Sequence, residues 1–199
     1  MTYDGFIAGL GNPGPRYSRT RHNFGFMLVD RLIALWADQP DAVISSRSGS
    51  GKADVWDVCF HADQTRWLVA KPLDFMNRSG PPIQLLCRRN GIPAEKILVL
   101  HDELDLPLGQ MRFKFSGGLA GHNGLKSLVE SLGTKDFARL RLGIGRPEHP
   151  VAMADYVLSP FMASEIPVLD KTLARAAEAT QTYCRYGLAE AMQQLHSHG

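Results

Sequence analysis

Residues 10–23 read LGNPGPRYSRTRHN and crowd an amide, several guanidinium groups and an imidazole just after a short apolar run. His22 stands there between Arg21 and Asn23, on a loop rather than an apolar face, so a histidine buried only for packing is the weaker reading and an ordinary surface histidine the plain alternative. A second polar cluster, His101-Asp102-Glu103, follows the apolar residues 97–100. A carboxylate bonded to one imidazole nitrogen fixes the ring's tautomer and leaves the other nitrogen to take a proton from water. Asp102 would do this for His22 if both segments end at one crevice; otherwise residues 101–105 are a solvated turn. His22, His101, Asp102 and His122 could also surround a metal ion, but no spacing of the HExxH type supports that set.

Asn12, Asn77 and Asn123 recur at predicted element ends, Asn77 within DFMN and Asn123 within GHNG. An asparagine beside a glycine is most often a turn residue, yet the three together could offer neutral donors and acceptors to an ester or peptide group. Arg112 and Lys114 share one face of a strand by their spacing of two, and Arg139 and Arg141 repeat the pattern. Two such strands would form a basic patch able to hold phosphates, or merely a solvated sheet face.

The elements that must position these groups alternate between strand and helix. Residues 5–10 form an apolar strand stopped by Gly-Asn-Pro-Gly-Pro, and Phe24, Met27, Leu28, Leu32 and Leu35 follow at helical spacing. Residues 38–52 are polar, whereas 53–60 and 66–70 carry the β-branched and aromatic residues of a hairpin. Ser79 is placed to cap a helix with Pro81 and Pro82 in its first turn and Gly91 at its end. Strands are expected over 97–100, 112–115 and 139–144, with a glycine-rich loop over 116–124 leading into the helical positions Leu125, Leu128, Val129 and Leu132. Ser164 opens a long helix broken at Gly187. The expected fold is α/β, a single-domain three-layer sandwich over residues 1–199, with a central twisted mixed sheet flanked by helices.

Composition narrows the function classes. With 199 residues, 44% hydrophobic and 21% charged, the chain has ordinary globular composition, and no apolar run approaches the ~20 residues of a membrane helix. The N-terminus shows no basic region followed by a long apolar one, so an unexported, cytoplasmic protein is expected. Cys59, Cys87 and Cys184 are odd in number and unpaired in spacing, which speaks against a disulfide framework or thiolate metal site. A net charge of +2 implies no anionic partner by itself. Residues 9–14 satisfy GxGxxG, but Pro13 removes an N–H that should cradle a pyrophosphate, and the helix begins only near Phe24. Residues 49–52, GSGK, lack the Gly and Ser/Thr that a P-loop needs at positions 46 and 53. A dinucleotide-dependent oxidoreductase and a non-catalytic RNA-binding domain remain the competing functions.

Taken in order, GLGNPGPRYSRTRHNFG, DFMNRSG, HDELDLPLG, GHNGLKS and RLRLGIGRP resemble the bacterial-type peptidyl-tRNA hydrolases over almost the whole chain. The resemblance implies a monomeric esterase without metal or cofactor. Its substrate would be peptidyl-tRNA, cleaved between the peptide and the 3′ ribose so that the tRNA returns to translation. It makes His22 the base that activates water and Asp102 its orienting partner. Asn12 would distinguish peptidyl from aminoacyl substrates, Tyr17, Phe75, Asn77 and Asn123 would contact substrate, and Arg112, Lys114, His122 and Arg141 would face tRNA. Asp74, Arg78 and Leu119-Ala120 depart from the usual residues at their positions and bear on fine substrate contacts.

Overall fold

A computed structural model describes residues 2–47, 52–147 and 149–197. The GSG of the P-loop-like stretch therefore lies outside the described residues. Among the described residues seven strands form one sheet: β1 (Gly5–Gly9), β2 (Ala42–Arg47), β3 (Ala53–Phe60), β4 (Thr65–Pro72), β5 (Ile97–Glu103), β6 (Met111–Phe115) and β7 (Ala138–Gly143). Their spatial order is β2-β3-β4-β1-β5-β7-β6, with β4, β1, β5 and β7 parallel and the pairs β2–β3, β3–β4 and β6–β7 antiparallel. The sheet is mixed, as expected.

One face packs on α1 (Phe24–Ala37), α5 (Ile166–Tyr186) and α6 (Leu188–Ser197), through Phe24, Leu28, Leu32 and Trp36 and through Leu169, Ala176 and Tyr183. The other packs on α2 (Gly80–Asn90) and α3 (Asn123–Leu132), through Ile83, Leu86, Leu125 and Leu128. This makes three layers. The short α4 (Met153–Val157) lies in the segment between β7 and α5.

Close contact between α1 and the sheet depends on two missing side chains. A Cβ on Gly25 would lie 2.2 Å from the carbonyl oxygen of Leu100, and one on Gly9 would lie 2.5 Å from Val29. The start of α1 therefore rests directly on β1 and β5. The single 3₁₀ turn Arg21–Asn23 that precedes it is held over the carboxyl ends of the central strands β1 and β5 with little freedom.

Several expectations are corrected. β5 does not stop at Leu100: His101, Asp102 and Glu103 continue it, paired with Arg141, Leu142 and Gly143 of β7. Polarity suggested a turn there, but the backbone ladder to β7 persists and the side chains find buried partners. β2, within the polar stretch after residue 38, was not expected as a strand; its residues are mostly exposed and the β3 backbone supplies its order. Ser79 occupies the N-cap position of α2, yet its hydroxyl donates to the Met76 carbonyl instead of capping. The long helix begins at Ile166, after a 3₁₀ turn over Ala163–Glu165, rather than at Ser164.

Candidate active site

β1 ends at Gly9, opposite Leu100, while β5 runs on to Glu103. The step left above β1 is where His22 sits. Its Nδ1 lies 3.0 and 3.1 Å from the two carboxylate oxygens of Asp102. Burial pushes the Asp102 carboxyl upward, but the facing imidazoles of His22 and His122 outweigh this and hold it well below the ordinary carboxylate range. An ionised Asp102 only accepts, so His22 must donate from Nδ1. Its Nε2 is left with a free lone pair and no protein partner among the described residues. The ring lines a cavity of about 310 Å³ together with Asp102, His122, Asn123, Met153 and Val157.

His122 comes to the same carboxylate from the other side. Its Nε2 lies 3.1 Å from Asp102 Oδ1, and its Nδ1 accepts the N–H groups of Gly124 and Leu125 at 3.1 and 3.3 Å, capping α3. With both nitrogens engaged, the ring has none to offer a phosphate. His101 lies behind it with ring centroids 5.0 Å apart, and its Nδ1 donates to the Asp102 carbonyl at 2.7 Å. Complete burial, reinforced by the neighbouring His122, holds His101 well below the ordinary imidazole value, so it stays neutral. His22, Asp102 and His122 bring ligand-type atoms within 4.8 Å of one another. Each ring nitrogen facing Asp102 sits at hydrogen-bond distance and carries a proton, which a cation would have to displace.

The turn bearing His22 is tied down on both sides. Asn23 Oδ1 accepts the Asn12 N–H and Asn23 Nδ2 donates to the Asn12 carbonyl, both at 2.9 Å. The Asn12 N–H is thus spent inside the loop, contrary to a GxGxxG cradle. Asn12 Oδ1 in turn accepts the Met76 N–H at 2.7 Å, fixing the neighbours Phe75 and Asn77. Phe75 is exposed and meets the Tyr17 ring edge-on at 6.3 Å. Arg21, itself buried, donates to Ser159 Oγ at 2.8 Å and Glu165 Oε2 at 2.6 Å and lies over the Tyr156 ring. Asn77 and Asn123 are exposed, and neither amide has a protein partner among the described residues.

The cations separate into two kinds. The register of β6 on β7 sets Arg112 opposite Arg141 and Lys114 opposite Arg139, so four cations share one face. Arg139 is buried and donates to the carbonyls of Ser116 and Gly118, holding the loop that leads to His122. Arg141 pairs with Glu103 at 2.9 Å. Arg112 and Lys114 have no acidic partner among the described residues.

Arg21, Asn23 and Glu103 hold the site's segments in place without having been given a role from the sequence, where Arg139 figured only in the candidate basic patch. Asn23 and Arg21 flank His22 in a polar triplet, which was a signal. Glu103 has its partner on another strand and no local signature.

The family model described as peptidyl-tRNA hydrolase matches residues 6–199. A peptidyl-tRNA hydrolase of Oleidesulfovibrio alaskensis is 50% identical over 99% of this chain and 98% of its own, and one of Thermus thermophilus is 44% identical over 92% and 90%. The crystal structure of peptidyl-tRNA hydrolase from Acinetobacter baumannii superposes with a TM-score of 0.86 at 30% identity, covering 98% of this chain and 96% of that one.

Proposed function

Because this chain belongs to the peptidyl-tRNA hydrolase family and hydrolyses peptidyl-tRNA, we propose that His22 is the base of that reaction and Asp102 the group that orients it. Water held at His22 Nε2 attacks the ester carbonyl between the peptide and the 3′ ribose while Nε2 takes its proton. Asp102 stabilises the imidazolium that forms. The tetrahedral intermediate then expels the ribose oxygen, which recovers the proton from His22 and leaves free tRNA and a peptide acid. Asn77 and Asn123, whose amides are uncommitted, donate to the developing oxyanion and orient the water. Asn12 discriminates peptidyl from aminoacyl esters by setting the backbone around Met76, and Tyr17 and Phe75 contact the peptide end. Arg112, Lys114 and Arg141 face tRNA phosphates.

The observation that carries this reading is the bond from His22 Nδ1 to Asp102 at 3.0 Å, with Nε2 uncommitted on a ring that lines the cavity. In this reading the chain works as one domain, as a cytoplasmic monomer, without metal or cofactor. N-acetyl-aminoacyl-tRNA incubated with the protein tests it: deacylated tRNA is expected with and without a chelator, and His22→Ala should lose about 10² to 10⁴-fold in rate. Near-normal cleavage by His22→Ala, or loss of wild-type cleavage in chelator, overturns it.

A further inference from the structure

His122 is the one imidazole in the cluster with both nitrogens committed to groups that matter for catalysis. We propose that it is a positioning residue that acts through Asp102: its Nε2–H shares the carboxylate oxygen bonded to His22 and so moderates the negative charge His22 feels, while its Nδ1 fixes the helix start that presents Asn123. The inference rests on His22 and Asp102 being the reacting pair and replaces a tRNA-facing role for His122.

Three distances carry it. Asp102 Oδ1 is shared between His22 Nδ1 at 3.0 Å and His122 Nε2 at 3.1 Å, and His122 Nδ1 accepts from Gly124 at 3.1 Å. A proton on Nδ1 would point at N–H donors, so the ring is locked as the neutral Nε2–H tautomer, the opposite of His22. His101 packs edge-on against it at an interplanar angle of 78°, which leaves the ring little room to turn. The side chain is only 7% exposed. A donor on a carboxylate disperses its charge, so losing that donor makes Asp102 a stronger partner for protonated His22. The reaction would then need a higher pH to reach its plateau, and the acid limb of the rate profile would move upward.

The other charged and titratable groups nearby are His101 beside Asp102 on β5, the Glu103–Arg141 pair and Arg139 across the sheet, and the Arg146–Asp105 pair at the cavity. Substitution of His122 removes the ring packed on His101 and leaves the Glu103–Arg141 and Arg146–Asp105 pairs in place.

Two substitutions separate its functions. Asparagine is a good N-cap but too short to reach Asp102 as well, whereas glutamine carries both a donor and an acceptor on a longer stem. His122→Asn should move the acid limb of kcat/KM on N-acetyl-aminoacyl-tRNA up by about one pH unit, a roughly tenfold loss below the wild-type midpoint. His122→Gln should return the limb toward wild type. In the unsubstituted protein, ¹⁵N spectra should show Nε2–H at His122 and Nδ1–H at His22. An unmoved limb in His122→Asn, the same shift in both variants, a change confined to KM and its salt dependence, or the Nδ1–H tautomer at His122 overturns the inference. Failure of the underlying reading looks different, since His22→Ala would then retain activity whatever the His122 variants do.

Discussion

Two loops each deliver an imidazole to Asp102, and they are built differently. The loop of residues 10–23 is tied through Asn12, Asn23 and Arg21 to Met76, Ser159 and Glu165, which belong to separate parts of the chain. It holds the turn rigidly and leaves His22 Nε2 free. The loop of residues 116–122 is tied mainly by Arg139 to its own carbonyls, and Ser116 and Ala120 sit in it at φ of +57° and +49°. It ends in a ring with no nitrogen to spare. Several ties to separate parts of the chain with one free nitrogen suit a base, whereas a single arginine of β7 holding the loop, with both ring nitrogens bonded, suits a brace.

The comparison breaks most sharply at the shared carboxylate. Asp102→Asn should lower turnover by up to ~10⁴-fold, the upper guide from serine-protease triads, because an amide can present its N–H to His22 and impose the wrong tautomer. Turnover and a pH–rate profile like wild type would remove the distinction between the two imidazoles.

Next in size is Arg139→Met, which strips the donors from the Ser116 and Gly118 carbonyls. Each lost hydrogen bond from the charged guanidinium is worth about 1.5–3 kcal/mol at most, so a lower Tm is expected together with slower turnover. A fall in Tm with unchanged kcat would mean that the second loop braces nothing.

Arg112→Ala and Lys114→Ala should act on affinity alone, raising KM with kcat nearly kept, and each should flatten the slope of log affinity against log salt by up to ~0.9. A wild-type salt slope would return both to the status of solvated side chains.

Ala120→Gly should have the smallest effect, stabilising the fold by up to ~1 kcal/mol through relief of the left-handed backbone, with kinetics unchanged. A drop in Tm on denaturation would show that the loop tolerates φ of +49° without cost.

The first of these loops was the more legible in the sequence. Gly-Asn-Pro-Gly-Pro marks the end of β1, and His22 between Arg21 and Asn23 stands out because three polar residues precede a helix whose apolar spacing is clear. The extension of β5 to Glu103 was not legible. His101, Asp102 and Glu103 look like solvent-facing residues until their partners His122, His22 and Arg141 are brought in from elsewhere. Nor was the split among the four cations: alternation shows that Arg139 and Arg141 share a face, but only the loop folding over Arg139 shows that it is buried. β2 was missed because its residues lack a consistent apolar face.

The placement of Arg112 and Lys114 on β6 has a consequence for how copies of this chain meet in solution. β6 ends the sheet, with one side of its backbone lacking a neighbouring strand among the described residues. Another copy adding its own β6 edge to edge would bring these cations alongside their counterparts, beside Arg141 already in register. Like charges on adjoining strands repel, and lysine-rich edges are a common way of stopping sheets from growing. The side chains proposed to draw an anionic backbone toward the site would also oppose recruitment of a second sheet at this edge.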